Sequence, residues 1–317
     1  MISRRLVRIK AMQTYYAFLQ DSGDVSAERI WQELKFNIEK SHELYIYLHC
    51  LLLAVCDFAE DRIELNRKKH LPSSEDLNPN TKFINNRILT AFRNNTIINK
   101  QYSNNNFNWS DYSEFIKSIW MQITVSDYYN NYILSENNSL KEDIKIIDKI
   151  ISKTLTNNVE LDDILEEKSI YWNDDLEFLL SNIVQGIKKI KESEDIPITY
   201  SLKGIYRDMG DEEFAKKLII KTALHKNSYD NSILETLKKW ELERIAFIDR
   251  VILHLALCEI NEFPDMPVKV TINEYLEISK YYSTEKSSLF INGILDKIYN
   301  QLKDQNLLNK KGLGLVE

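Results

Sequence analysis

Seven glycines and five prolines in 317 residues leave this chain little with which to make tight turns. Sandwiches, barrels and doubly wound sheets reverse direction often and depend on those residues at the reversals. The scarcity predicts an all-α protein. The apolar pattern agrees: Leu6, Ile9, Met12, Tyr16 and Leu19 recur at steps of three and four, the period of a helix with one buried face. The acidic, glycine-bearing stretch 21–24 ends that helix. Helical patterning then runs from about residue 27 to 69. It resumes near 111, continues to about 192 with a break at 135–139, and returns from 211 to 301. The prolines at 72 and 79, an asparagine-dense stretch at 94–108 and residues 193–210 read as connections, and 303–317 as a flexible tail.

The length suits about two domains, or one with a large insertion. With 44% apolar and 28% charged residues, the chain is not largely disordered. A net charge of -7 argues against coating nucleic acid through bulk positive charge, while leaving room for a local basic patch. Three scattered cysteines, Cys50, Cys56 and Cys258, fit a reducing compartment and hence the cytoplasm. The basic N-terminus has no continuous apolar run and does not read as a signal peptide. The most apolar stretch, 44–55, is short for a membrane span, contains His49, and reads as a buried helix.

Residues 242–260 are apolar on nearly every side, as befits the centre of a bundle. Thr271 and Glu274 fit a capping box, and a further helix starts near Thr284. A faint repeat relates 151–172 to 219–240, through either a duplicated helix pair or chance likeness of two amphipathic pairs.

Familiar catalytic constellations are missing. Gly312-Leu-Gly314 follows no strand and is not a dinucleotide fingerprint. His42 and His49 are seven apart, not the four of a zinc protease. His254 and Cys258 share a helix face but have no second pair, so a packed histidine and a buried thiol are expected. The adjacent Asp174 and Asp175 read as a solvated helix start. No catalytic residue, cofactor or metal is expected.

Two places suit phosphate chemistry. Arg4, Arg5, Arg8 and Lys10 occupy the first ten residues with no acid among them. Arginine's planar fork grips two phosphate oxygens, although a solvated basic helix end would look the same. Near Thr284, Lys286 lies in a first helical turn with Phe290 four residues on. That pairing serves single-stranded RNA, by charge and base stacking, if Phe290 is not core.

These same regions resemble the NusB family of transcription antitermination factors. The opening Arg4-Arg5-Leu-Val-Arg8-Ile-Lys-Ala11-Met-Gln13-Thr-Tyr-Tyr16 is similar to its first helix. Glu243 through Arg250, Leu255-Ala256-Leu257-Cys-Glu259, Val268 through Glu274, Glu285-Lys286-Ser287 and Phe290 through Asp296 follow in the family's order and spacing. The resemblance implies a helical bundle made by residues 1–20 and 208–302, with 21–207 as an additional helical segment. It implies binding of boxA-type RNA together with NusE, a small-subunit ribosomal protein, within an RNA polymerase antitermination complex, with no membrane. Arg4, Arg5, Arg8, Lys286 and Phe290 are the implied RNA residues. Tyr16, Glu243 and Asp249 are the implied partner-facing ones. The departures are the length, Leu6 where others often add an arginine, and Lys286 where some members carry an acid. Two rivals are an RNA-modifying enzyme, disfavoured by the missing cofactor loop, and a helical interaction module that no longer binds RNA.

Overall fold

The computed structural model describes residues 3–21, 26–104, 107–191, 198–206, 208–237 and 244–315, with Glu285 described by its backbone alone. Among the described residues there is no strand. The helices are α1 (Arg4–Gln20), α2 (Ala27–Arg67), α3 (Ser74–Leu77), α4 (Arg87–Arg93), α5 (Thr96–Tyr102), α6 (Ser113–Thr124), α7 (Asp127–Leu134) and α8 (Leu140–Ile150). They continue with α9 (Val159–Lys168), α10 (Leu176–Ile187), α11 (Met209–Leu224), α12 (Lys226–Leu237), α13 (Phe247–Glu262), α14 (Val268–Tyr282) and α15 (Glu285–Asp304). The fold class is all-α, as the turn-poor composition predicts. The chain divides into two compact units: a middle one, Lys40–Gly204, and a chain-end one made of Ile2–Glu39 with Ile205–Glu317.

In the chain-end unit, Ser3 caps α1, its Oγ accepting from Leu6 N at 3.2 Å. The helix buries Leu6, Val7, Ala11, Met12 and Tyr15. α13 is buried from Val251 to Ile260 and packs against α1, α11, α12, α14 and α15. Full burial of each leucine or isoleucine there contributes about 1.5–3 kcal/mol, so α13 is the spine of this unit. His254 and Cys258 sit in that core. His254 Nδ1 meets the Tyr15 hydroxyl at 2.8 Å and its Nε2 meets Asp230 Oδ1 at 2.9 Å. Cys258 Sγ donates to Leu218 O. Among the described residues no group of three metal-ligating side chains clusters.

In the middle unit, the apolar run 44–55 is the buried heart of α2. α2 is the one described helix long and apolar enough to cross a membrane, and 72% of its apolar window is buried against protein. Tyr47 stacks on Trp109 with centroids 4.3 Å apart, and Trp172 lies at 5.4 Å. His49 is fully buried, with Nδ1 at 2.7 Å from Tyr45 O and Nε2 at 2.9 Å from the Tyr200 hydroxyl. Burial holds its pKa down at about 3. The unfolded chain therefore binds a proton there between about pH 6.5 and 3 that the folded chain refuses, and stability falls as the pH drops through that window. From pH 6.5 to 5 the loss is on the order of 2 kcal/mol. Urea unfolding at pH 7 and pH 5 should show that difference, and it should vanish in His49→Gln.

Several local expectations are corrected. The stretch 94–108 is not simply a loop: Asn95 Oδ1 accepts from Ile97 N and Ile98 N, both at 3.1 Å, and starts α5. Asparagine there is a cap, a role it fills as well as that of a turn former. The sequence expects Asp175 to be solvated, but it is fully buried and accepts from Ser41 Oγ at 2.6 Å. The capping box at Thr271 does not form, because α14 already starts at Val268 after Pro267 and Thr271 faces the core. The helix expected over 242–260 starts at Phe247, and residues 238–243 lie outside the described residues. The tail is not frayed as far as Leu315. Lys311 N donates to Pro264 O at 3.0 Å, and a short 3-10 turn covers Gly312–Leu315. Of the repeat, Ile151 lies in a π-helical turn closing α8, whereas Ile219 lies within α11; Trp240 is outside the described residues.

Candidate nucleic-acid interface

α1 sorts its basic residues by depth. Arg4 has a side chain 38% exposed, donates through Nε to Asp211 Oδ1 at 2.9 Å, and lies 5.1 Å from the centre of the Phe214 ring. Arg5 is half-exposed. Its Nε and Nη2 donate to Glu274 Oε2 and Oε1 at 2.9 and 2.8 Å. A guanidinium has five N–H donors, and Glu274 engages two of them. The same pairing raises the Arg5 pKa and holds the Glu274 carboxyl below its ordinary range. Lys10 is buried.

Arg8 corrects the sequence reading. It is 3% exposed, and its Nε and Nη2 donate to Glu259 Oε2 and Oε1 at 2.8 and 2.6 Å. Glu259 also accepts from Thr271 Oγ1 at 2.9 Å and from the Tyr275 hydroxyl at 3.3 Å. Burial alone would lower the Arg8 pKa, but the Glu259 carboxylate overrides it and the value is raised. Four steps after Arg4, Arg8 projects from the buried stripe of α1, so it anchors the helix instead of facing solvent. Its basic type and its i,i+4 spacing from Arg4 look the same in either role.

The second place is the start of α15. Lys286 is exposed, and Phe290, one turn on, is half-buried. The turn before them is stapled from below. Ser287 is buried, its Oγ within 2.9 Å of both Ser283 Oγ and Thr284 Oγ1, and Ser283 Oγ donates to Asp249 Oδ1 at 2.6 Å. Asp249, expected to face a partner, is thus buried at 4% exposure and fixes the turn between α14 and α15. Tyr16 stays 36% exposed, its ring edge-on to Phe247 at 4.9 Å. Glu243 lies outside the described residues.

Sequence reasoning misses the acids that hold these groups. Asp211, Glu259 and Glu274 lie more than 200 positions from their arginines, and no local pattern marks such pairs. It also misses Tyr281, 84% exposed in the last turn of α14 and five residues before Lys286. The Tyr281-Tyr282 doublet at a helix end is its only signal.

Residues 180–300 match the family model described as NusB family. The transcription antitermination protein NusB of Chloroherpeton thalassium is 41% identical over 113 residues, 36% of this chain and 54% of that protein. The NusB protein of Bacillus mycoides is 43% identical over 97 residues, 30% of this chain and 75% of that protein. The chain belongs to the NusB family. A solved structure of T. maritima NusB is 32% identical, covering 44% of this chain and 84% of that one, with a TM-score of 0.29. The chain spans about half the length of the C. thalassium NusB protein. The NusB family match runs from within α10 through α11 to α14 and most of α15, and takes in Asp211, Glu259, Glu274, Lys286 and Phe290. α1 with its arginines lies outside the matched residues.

Proposed function

We propose that this NusB family member is a non-catalytic, cytoplasmic transcription antitermination factor. It binds boxA-type single-stranded RNA together with NusE and helps RNA polymerase read through terminators in ribosomal RNA operons. Residues 1–20 and 208–302 form the binding core in this reading, and 21–207 are an elaboration, of which 180–207 fall within the family match. The observation that carries it is the NusB match over residues 180–300, which contains an exposed Lys286 one helical turn from Phe290. Arg4 and Arg5 supply further cations at the surface of α1. Tyr16, half-exposed, is the residue we assign to NusE.

The test is a fluorescence anisotropy titration of boxA RNA against a scrambled control, with and without NusE, at two salt concentrations. Binding should prefer boxA, tighten with NusE and weaken as salt rises. Phe290→Ala should cost about 1–3 kcal/mol, the range for a lost stacking partner. Arg5→Glu should flatten the dependence on salt by about 0.7 for each phosphate no longer neutralised. Unchanged RNA binding in both variants, with helicity intact by circular dichroism, refutes the site. Failure of the wild type to bind RNA would leave the helical interaction module, which the Arg4–Asp211 and Arg5–Glu274 pairs would suit by neutralising the patch.

A further inference from the structure

α14 carries an exposed aromatic ring between the two basic places. Val270, Glu274, Glu277 and Tyr281 follow one another at steps of four, three and four, so they share one face of that helix. Near the middle of this stripe Glu274 holds the Arg5 side chain of α1. At its end Tyr281 is 84% exposed in the last turn, and among the described residues no hydrogen bond or ring contact engages it. Seven residues of helix put about 10 Å between Glu274 and Tyr281. Beyond Tyr281 the chain turns into α15 at a corner fixed by the hydrogen bonds of Ser283, Asp249 and Ser287. Lys286 and Leu289 follow in the first turns of α15, both exposed. Tyr281 therefore stands between two cations, Arg5 along α14 and Lys286 across a rigid turn.

A single exposed aromatic on a surface needs no explanation. This one is set apart by its neighbours. The acids of its helix face are offset by bases, Glu274 by Arg5 and Glu277 by Lys280. A single RNA strand uses that order of groups: a cation for one phosphate, a ring for a base, a cation for another phosphate. At about 3.4 Å per stacked nucleotide, the stretch from Glu274 to Tyr281 takes about three nucleotides. An exposed tyrosine also serves protein contacts, but a cation on each side favours a polyanion.

We propose that Tyr281 is a base-stacking residue of the RNA site, placed so that one strand runs from Arg5 along α14 to Lys286 at the start of α15. This rests on the antitermination reading and joins its two basic places into one track.

The experiment uses the full chain, as wild type, Tyr281→Ala, Tyr281→Phe and Phe290→Ala. The probe is boxA RNA carrying 2-aminopurine at one position at a time, titrated with and without NusE across a salt series. Tyr281→Ala should weaken RNA binding by about five- to 150-fold, the range for one lost stacking partner. Its salt slope should stay that of the wild type, since a tyrosine neutralises no phosphate. Tyr281→Phe should keep the affinity, because the ring remains. One 2-aminopurine position should be quenched in the wild type and in Tyr281→Phe, and bright in Tyr281→Ala. Equal affinity and quenching in wild type and Tyr281→Ala overturns the assignment, and a loss in Phe290→Ala would then leave the antitermination reading standing. A wild type that binds no RNA overturns both. A loss shared by Tyr281→Phe, or one seen only in the NusE enhancement, overturns stacking in favour of a hydroxyl or a protein contact.

Discussion

Glu259→Ala should lower the stability of the chain-end unit by about 3–5 kcal/mol, the range for breaking a buried ion pair from one side. The carboxylate is fully buried and accepts from three residues, Arg8, Thr271 and Tyr275. Removing it leaves the Arg8 guanidinium, between the rings of Phe214 and Tyr275, without its two hydrogen-bonding oxygens and with only the more distant Glu274 carboxylate, 3.6 Å from Nη1, and leaves two hydroxyls without an acceptor. Three elements meet at this one carboxylate: α1 through Arg8, α13 through Glu259 itself, and α14 through Thr271 and Tyr275. Glu274→Ala makes the contrast. Its hydrogen-bonded partner Arg5 is half-exposed and its reach to Arg8 Nη1 is a longer 3.6 Å, and an exposed pair of the Arg5 kind contributes about 0–1 kcal/mol. Urea unfolding of the two variants should differ by several-fold in the loss. Equal losses would mean that burial does not set the strength of these pairs. Arg8→Met combined with Glu259→Leu should lose less than Glu259→Ala alone, since no charge is then stranded.

What the sequence makes legible is local. α1 and α15 follow from a 3.6-residue apolar period, and α13 from a run with no polar face. Residues that do two jobs defeat that reading. Asn95 caps a helix where asparagine density suggests a loop. Thr271 has the sequence of a cap but uses its hydroxyl on Glu259. Asp175 looks like surface acid until Ser41 arrives from α2. Arg8 looks like phosphate chemistry until Glu259 is placed beside it, 251 positions away. For Thr271, Asp175 and Arg8 the deciding partner lies well outside the local pattern, and side-chain type alone does not tell a paired group from an available one. The exposed Lys286 and half-buried Phe290 are legible as a combination because both lie on one short stretch of helix.

Trp109→Ala should destabilise the middle unit by about 3–5 kcal/mol, the cost of a large aromatic removed from a packed core. The indole is 2% exposed, stacks on Tyr47 at 4.3 Å, and lies 5.8 Å from Phe115. Its Nε1 donates to Tyr47 O at 3.3 Å, so truncation also opens a hydrogen bond. Tyr47 itself gives the opposite sign. Among the described residues its buried hydroxyl has no hydrogen-bond partner, a burden of about 1–3 kcal/mol that Tyr47→Phe removes without emptying any volume. Tyr47→Phe should therefore raise the urea midpoint of this unit while Trp109→Ala lowers it, on the same pair of stacked rings. The assigned RNA residues Arg4, Arg5, Lys286 and Phe290 all belong to the chain-end unit. At a urea concentration where only the middle unit of Trp109→Ala has unfolded, boxA affinity should match that of the wild type. A parallel loss of RNA affinity would move the binding site into residues 40–204 and away from the arginines of α1.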